Sequence, residues 1–253
     1  MEITGVNNNL VKDVVRLQQK KYRNESGKFL LEGYKSVYEA VKSGVEVEYV
    51  FVLAEKADKY NFVNCELIKT TSAVLKKIST TDSAPEVVAV GCQPHNDYEK
   101  LKNSKKVVLL ENISDAGNLG TIIRTAAAFS IDAIILYGET VDLYNPKCVR
   151  SAVGNLWKTN IVTMKTISEL NKYFADFERV ATLPKTENSM WLNDWIPSEK
   201  TLMMFGSEAD GLTEDLKNYA TKNLTIEMNK EVESLNLSVS ASIIMYKMRG
   251  MKK

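Results

Sequence analysis

Residues 118–129 have the sequence NLGTIIRTAAAF, which combines a packed helix with polar residues at its start. The apolar side chains of this stretch recur at helical spacing and predict an amphipathic helix: Leu119, Ile122, Ile123 and Ala126. Asn118 and a glycine stand at the beginning, and Arg124 lies within the helical pattern. The elements on either side of this helix decide whether these polar groups are ordinary surface residues or part of a site.

Short apolar strands alternate with helices on both sides of this stretch. The predicted strands are residues 107–110, 133–136, 161–164, 179–182, 202–205 and 224–226. The predicted helices are residues 118–130, 167–176, 213–221 and 236–248. Such alternation predicts a mostly parallel sheet that is covered by helices on both faces.

The N-terminal part of the chain predicts a second, smaller α/β domain of about ninety residues. Helical spacing from Leu10 to Leu17 is followed by strand candidates at 29–31, 49–53 and 87–90, with helices ending near Gly44 and at Ile78. A polar stretch, QPHNDYEKLKNS, follows at residues 93–104 and has the composition of a linker. The predicted domains are therefore residues 1–95 and 105–253, joined by residues 96–104.

Composition limits the class of protein. The 253 residues are 44% hydrophobic and 26% charged, which are values of globular domains. No apolar run approaches the ~20 residues that span a bilayer, and the N-terminus lacks the apolar stretch of a secretory signal. Three cysteines at unpatterned positions predict neither a disulfide framework nor a zinc site. We therefore expect a cytoplasmic protein with no membrane partner and no metal.

Positive charge is concentrated near the N-terminus, although the net charge of the chain is only +1. The acidic residues of this segment are Asp13 and Glu25, and its basic residues are Lys12, Arg16, Lys20, Lys21, Arg23 and Lys28. Such a cluster is either a solvated helix face or a surface that binds nucleic acid. The charge pattern alone leaves both open.

Three loops at the carboxyl ends of predicted strands are unusual, and in parallel sheets ligands bind at that edge. They are residues 111–120 (ENISDAGNLG), 206–212 (GSEADGL) and 228–239 (MNKEVESLNLSV). Each has an ordinary explanation when it is taken alone, because Asn118, Thr213, Ser234 and Asn236 are all residue types that cap helices.

Taken in order, the three loops resemble the SpoU-type RNA ribose 2′-O-methyltransferases of the SPOUT superfamily. The motifs are N-x-G-x-x-x-R from Asn118, G-S-E-x-x-G-L from Gly206, and I-x-M-x-x-x-V-E-S-L-N-x-S-V from Ile226. Residues 1–95, with KKYR and GKFLLEG, are similar to the ribosomal-protein-like RNA-binding domain often fused ahead of this catalytic domain. Three positions depart from the family pattern on loop backbone: Ala116, Glu227 and Lys230.

The resemblance implies a parallel sheet whose C-terminal segment threads a loop in a deep trefoil knot, which general topology rules would have argued against. It also implies a homodimer that binds S-adenosylmethionine in the knot. By that resemblance, the residues that hold the cofactor are Leu183, Gly206, Ile226, Met228 and Leu235. The RNA would be bound by the first domain through Lys12, Arg16, Lys20, Lys21 and Arg23.

The resemblance further implies a catalytic set consisting of Arg124, Asn118, Glu208, Ser234 and Asn236. A histidine would be the usual proton acceptor, but the single one, His95, lies in the polar stretch. Arginine keeps its proton above pH ~12, so Arg124 is expected to hold a phosphate and stabilise developing alkoxide charge rather than to act as a base. Asn118 and Glu208 are expected to orient it.

Two other functions compete with RNA methylation. A catalytically silent paralogue would only bind RNA, and the intact polar residues argue against it. A dinucleotide-dependent enzyme is disfavoured because GNLG is not G-x-G-x-x-G. Ribosomal RNA is the expected substrate, with transfer RNA possible by the resemblance. A ribose in a single-stranded loop or at a helix end is the expected target shape.

Overall fold

A computed structural model describes residues 1–229 and 231–249, and its chain divides into two compact units. The first unit consists of Met1–His95 and Asp142–Trp157. The second consists of Asn96–Val141 and of the described residues from Lys158 onward. Lys230, one of the departures from the family pattern, lies outside the described residues.

The first unit contains a five-stranded mixed sheet in the order β1-β4-β3-β5-β2. Its strands are β1 (Glu2–Ile3), β2 (Lys28–Glu32), β3 (Val47–Leu53), β4 (Glu66–Thr70) and β5 (Val87–Cys92). Its helices are α1 (Asn9–Arg16), α2 (Lys20–Ser26), α3 (Tyr34–Lys42), α4 (Ser72–Ile78) and α6 (Pro146–Ser151). Apolar residues of α1 and α4, among them Val11 and Leu75, pack with Phe51 of β3 in the core.

The second unit contains a seven-stranded sheet in the order β10-β12-β9-β11-β6-β7-β8, and all of its strand pairs are parallel. The strands are β6 (Lys106–Glu111), β7 (Ala133–Tyr137), β8 (Asn160–Met164), β9 (Glu178–Thr182), β10 (Ser189–Trp191), β11 (Thr201–Phe205) and β12 (Lys222–Thr225). The helices are α5 (Ala116–Ala128), α7 (Ile167–Phe174), α8 (Glu214–Tyr219) and α9 (Leu237–Met248). The prediction of a parallel α/β sheet is confirmed, whereas the trefoil knot stays a prediction.

Burial explains why these strands form a sheet covered on both faces. Successive side chains of a strand point to opposite sides, so a strand with two covered faces is apolar throughout. β7 and β11 are buried at every position. One face of the sheet packs on α7 and α8. Helix α5 packs against α9, and the hydroxyl oxygens of Thr125 on α5 and Ser242 on α9 lie 3.2 Å apart. No helix in the described part of the chain is long and apolar enough to cross a bilayer.

The segment Asp142–Trp157 packs with the first unit, although the sequence placed it in the second domain. Arg150 Nη1 lies 2.7 Å from the buried carboxylate of Glu32, which also accepts a hydrogen bond from the Thr80 amide at 2.7 Å. The ring of Phe29 contacts those of Tyr144 and Trp157 at centroid distances of 4.9 and 5.6 Å. Ion pairing and aromatic packing together hold this segment on β2.

Arg23 corrects one part of the RNA-binding prediction. Its side chain is only 2% exposed, and both Nε and Nη2 lie 2.6 Å from Asp142 Oδ2. Its Nη1 donates to the carbonyl oxygen of Leu17 at 2.8 Å. A guanidinium so enclosed and paired is part of the core and cannot also bind a phosphate, so the prediction for Arg23 is wrong.

Replacing Arg23 by methionine is expected to lower the free energy of unfolding by about 3–5 kcal/mol, because it leaves Asp142 as an uncompensated, nearly buried charge. Chemical denaturation measures this change. Arg16→Met is the matched control, since the Arg16 side chain is 59% exposed and its loss is expected to cost no more than about 0.5 kcal/mol. Equal stabilities of the two variants would contradict a structural role for Arg23.

Candidate active site

The predicted cofactor residues of three different strands meet at one edge of the second unit's sheet. Leu183, Gly206 and Ile226 directly follow β9, β11 and β12, which are neighbours in the order β12-β9-β11. Carboxyl ends of parallel strands lie at the same edge, so the three residues line one short rim. This edge is where parallel α/β sheets bind ligands.

Hydrogen bonds between the strand ends make this rim rigid. The Leu183 amide donates to the Leu224 carbonyl oxygen at 3.0 Å, and the Thr225 hydroxyl donates to the Leu183 carbonyl oxygen at 3.0 Å. The Thr182 hydroxyl donates to the Met204 carbonyl oxygen at 2.9 Å. The two threonines were not singled out from the sequence, because a β-branched residue in a strand is unremarkable there.

The loop after β11 requires glycine at its first position. Ser207 and Gly211 exchange two backbone hydrogen bonds of 3.1 Å, which folds residues 206–212 back on themselves. A Cβ placed on Gly206 would lie 1.9 Å from the carbonyl carbon of Gly211. Gly211 has a φ of +68°, a left-handed backbone conformation that favours glycine. Nothing lies within 4 Å of a Cβ placed there, so the preference for glycine at this position is conformational and not steric.

A buried carboxylate at the end of β6 fixes the other end of this loop. Glu111 accepts hydrogen bonds from the Thr213 hydroxyl at 2.7 Å and from the Thr213 amide at 2.8 Å. Thr213 holds the N-cap position of α8, as suggested, but its hydroxyl donates to Glu111 instead of capping the helix. Burial and, to a smaller extent, the neighbouring Glu111 carboxylate raise the pKa of the Tyr137 phenol. Glu111 was missed, although an acidic residue that ends an apolar strand is a usable signal.

Asn118 does not cap α5. Asp115 is the N-cap residue, and its carboxylate accepts a hydrogen bond from the Asn118 amide at 2.7 Å. Asn118 therefore lies in the first turn, with its side chain available for other contacts. That side chain donates from Nδ2 to Glu208 Oε1 at 2.8 Å and accepts at Oδ1 from Asn236 Nδ2 at 3.1 Å.

Asn236 joins this network to the last helix. It is the N-cap residue of α9, and its Oδ1 accepts hydrogen bonds from the Ser238 amide and hydroxyl at 2.9 and 2.6 Å. One residue from each of the three sequence motifs thus meets in the chain Glu208–Asn118–Asn236. Glu208 follows Asn118 by 90 positions in the sequence and Asn236 follows it by 118 positions, yet both lie within hydrogen-bond distance of it.

Arg124 stands apart from that network. It lies six residues after Asn118 on α5, about 9 Å along the helix axis, and it is exposed. Within residues 1–229 and 231–249 its guanidinium has no hydrogen-bond or ion-pair partner. Its orientation by Asn118 and Glu208 therefore stays a prediction. Ser234 is also exposed and has no hydrogen bond to another described residue.

Three of the predicted cofactor residues offer free backbone groups. Ile226, Met228 and Leu235 are half-buried, yet their amides and carbonyls form no backbone hydrogen bond to another described residue. Partly buried backbone groups are normally paired, so these groups can bind the polar edge of a ligand. Unpaired backbone donors and acceptors of this kind suit the edge of a heterocyclic ligand such as the adenine of S-adenosylmethionine.

Four of the five predicted RNA-binding residues are exposed on α1 and α2: Lys12, Arg16, Lys20 and Lys21. Carboxylates neutralise two of them in part, since Asp13 lies 3.0 Å from Arg16 and Glu25 lies 3.9 Å from Lys21. We call these four residues the basic surface. His95, the histidine of the polar stretch, is exposed in the first unit.

Comparison with known proteins identifies both parts of the chain. Residues 105–246 match the SpoU rRNA Methylase family, and residues 8–89 match the MRM3-like substrate binding domain. A 23S rRNA (guanosine(2553)-2′-O)-methyltransferase, RlmP of Bacillus subtilis, is 31% identical, with 98% of this chain and 99% of that protein covered. A 23S rRNA (uridine(2479)-2′-O)-methyltransferase of Streptomyces viridochromogenes is 26% identical over 88% of this chain and 83% of its own length. An AdoMet-bound rRNA methyltransferase from Sinorhizobium meliloti has a similar structure, with a TM-score of 0.88 at 27% identity and coverage of 98% and 97%.

Proposed function

Because the chain belongs to the SpoU rRNA methylase family, we propose that it transfers the methyl group of S-adenosylmethionine to a ribose 2′-hydroxyl of ribosomal RNA in the cytoplasm. Relatives that cover nearly the whole chain act on 23S rRNA by their names, which favours ribosomal over transfer RNA. The cofactor is supported by the similar structure that contains AdoMet.

The observation that carries this function is the hydrogen-bonded chain Glu208–Asn118–Asn236 at the carboxyl edge of the sheet. It joins all three motifs of the family in one place. A protein that only bound RNA would have no need to keep the polar residues of all three motifs paired with one another. The silent paralogue is therefore the weaker alternative.

The cofactor, when bound, supplies an electrophilic methyl group whose leaving group is a neutral thioether, so no acid is needed. The residues of the chain must activate the ribose hydroxyl, whose proton passes to water or to the adjacent phosphate as the new O–C bond forms. Arg124, exposed and unpaired within the described residues, can hold the adjacent phosphate and stabilise the developing alkoxide. Asn118, Glu208, Ser234 and Asn236 would shape this site around it. Leu183, Gly206, Ile226, Met228 and Leu235 would hold the cofactor through backbone groups and apolar contacts.

The test is to incubate the purified protein with S-adenosylmethionine and ribosomal RNA from cells that lack the gene, and to map 2′-O-methyl groups by sequencing. One new ribose methyl group in 23S rRNA is the expected result. Asn118→Ala serves as the impaired control. No methylation of ribosomal RNA, together with methylation of transfer RNA or with no cofactor binding by calorimetry, would contradict the proposal.

RNA binding by the first unit is proposed to depend on the basic surface. Replacing Lys12, Arg16, Lys20 and Lys21 together by glutamine is expected to weaken RNA binding and to flatten its salt dependence. The slope of log K against log[salt] is negative, and its magnitude decreases by about 0.7 for each lost contact to single-stranded RNA. Affinity measured at several salt concentrations checks this, with S-adenosylmethionine affinity as the control. An unchanged slope would identify these residues as a solvated helix face.

We propose that the chain forms a homodimer through the exposed side of α9. Val239, Ile243 and Tyr246 lie at positions i, i+4 and i+7 and are all exposed, so they form one apolar stripe. Ile243→Lys is expected to shift the protein from dimer to monomer in analytical ultracentrifugation. Glu214→Lys, at an exposed position of α8, is the control that should keep the dimer. A monomeric wild-type protein would contradict the proposal.

A further inference from the structure

Two tyrosines of the first unit are exposed side by side. Tyr34 and Tyr38 lie one turn apart on α3 and are 43% and 36% exposed. Their ring centroids are 5.8 Å apart, and the ring planes differ by only 12°. The hydroxyl groups of both rings have no hydrogen-bond partner among the described residues. The two rings are stacked on each other, and together they expose aromatic area to solvent.

Other aromatic residues hold these two rings in place. Phe62 is half-buried and meets Tyr34 and Tyr38 edge to face, with centroid distances of 5.9 and 5.3 Å. Tyr60 is fully buried, contacts Tyr34 at 5.7 Å and donates a hydrogen bond to Glu86 at 2.9 Å. Contacts with these packed rings limit the motion of Tyr34 and Tyr38, both of which stay partly exposed to solvent.

Two lysines share the exposed side of the same helix. At 3.6 residues per turn, Tyr34, Tyr38, Lys42 and Lys35 fall within one sector about 100° wide. Both lysines are exposed, and Lys42 Nζ lies 5.9 Å from the centroid of the Tyr38 ring. Glu39 is half-buried and falls outside this sector. The aromatic surface is therefore bordered by positive charge.

We propose that Tyr34 and Tyr38 form a platform on which unpaired bases of the RNA substrate stack, while Lys35 and Lys42 contact the neighbouring phosphates. This inference rests on the proposed function, which provides the RNA. Aromatic rings bind bases of any sequence, because every base has a π face, and lysines beside them follow the backbone. The stacked, partly exposed rings and the bordering positive charge favour a nucleotide over an apolar segment of a protein. The stacking platform on α3 is distinct from the basic surface, whose four residues lie on α1 and α2.

The binding test uses two RNA probes, a single-stranded dodecamer that contains 2-aminopurine and a fully paired duplex of the same length. Tyr34→Leu and Tyr38→Leu are each expected to weaken binding of the single strand about tenfold and to leave binding of the duplex unchanged. The salt slope should not change, because stacking releases no counterions. Tyr34→Phe and Tyr38→Phe should bind normally, since they keep the ring.

Tyr98→Leu is the matched control, because Tyr98 of the second unit is also 36% exposed and takes part in no ring pair in the described residues. It should bind the single strand like the wild type. Unchanged affinity in the folded double variant Tyr34→Leu/Tyr38→Leu would overturn the platform. Loss of affinity with an equal loss of salt slope would also overturn it, since charge rather than stacking would then be responsible.

A second measurement on the unaltered protein covers the case in which the leucine variants do not fold. A dodecamer with 4-thiouridine is photocrosslinked to the wild type, and the linked peptide is identified by mass spectrometry. Crosslinks at Tyr34 or Tyr38 support the proposal, and crosslinks confined to other peptides overturn it. Methylation of ribosomal RNA by the wild type is scored separately, so a failed platform is distinguishable from a failed function.

Discussion

Arg124→Ala is expected to reduce single-turnover methyl transfer by about 100- to 1,000-fold, which is the usual cost of removing one oriented donor from a transition state. Melting temperature and S-adenosylmethionine affinity should stay close to those of the wild type. The reason is structural, because the side chain is exposed and the described residues offer it no partner. Arg124→Lys should lose nearly as much, since an ammonium lacks the planar fork that grips a phosphate.

The control for Arg124 is Lys172→Ala, which removes an exposed cation from α7 and should leave turnover normal. Rapid-quench methylation beside thermal denaturation separates the two possible roles of Arg124. A variant that loses stability and cofactor binding together would identify the arginine as a structural anchor. Near-normal turnover in Arg124→Ala would refute the mechanism.

Gly206→Ala is the second change with a large expected effect. The new methyl group would lie 1.9 Å from the Gly211 carbonyl carbon and 2.1 Å from the Leu212 amide nitrogen, so the loop 206–212 must move. Both neighbours are backbone and cannot yield by changing a rotamer. We expect a loss of about 1–3 kcal/mol in unfolding free energy, as in other overpacked sites, and cofactor binding weaker by at least about tenfold.

Gly211→Ala is the matched substitution in the same loop. Nothing lies within 4 Å of its added Cβ, and the strain comes only from its φ of +68°, so a cost of about 1 kcal/mol is expected. Calorimetry with S-adenosylmethionine and thermal melts compare the two variants. If Gly206→Ala bound the cofactor like the wild type, the loop would not be part of its site.

The strands of the larger sheet were predictable because buried parallel strands are apolar on both faces. The predicted strand 107–110 is one residue shorter than β6 at each end, and the predicted strand 202–205 begins one residue after the start of β11. Elements with a weak sequence pattern were not predicted. β10 has three residues, and α2, with the sequence KKYRNES, lacks an apolar stripe. Tertiary contacts, not local pattern, stabilise these pieces.

The polar residues of the candidate site followed from the resemblance, whereas their partners did not follow from the sequence. Glu111 meets Thr213 across 102 positions, and Arg23 meets Asp142 across 119. A run of basic residues shows charge but not burial, so Arg23 could not be told from its exposed neighbours. Asn118 likewise resembled a cap until Asp115 was seen to hold that position.

The path of the chain through the first unit limits how this unit can be exchanged between genes by recombination. Asp142–Trp157 lies between β7 and β8 of the other unit's sheet, yet it supplies Asp142 to Arg23 and Arg150 to Glu32. A gene fragment ending at residue 95 would encode two buried charges without their counterions and Phe29 without two of its ring neighbours. Recombination at the polar stretch therefore cannot exchange this unit as a cassette. The segment 142–157 has to be exchanged with it, and substitutions on the two sides of these contacts should covary.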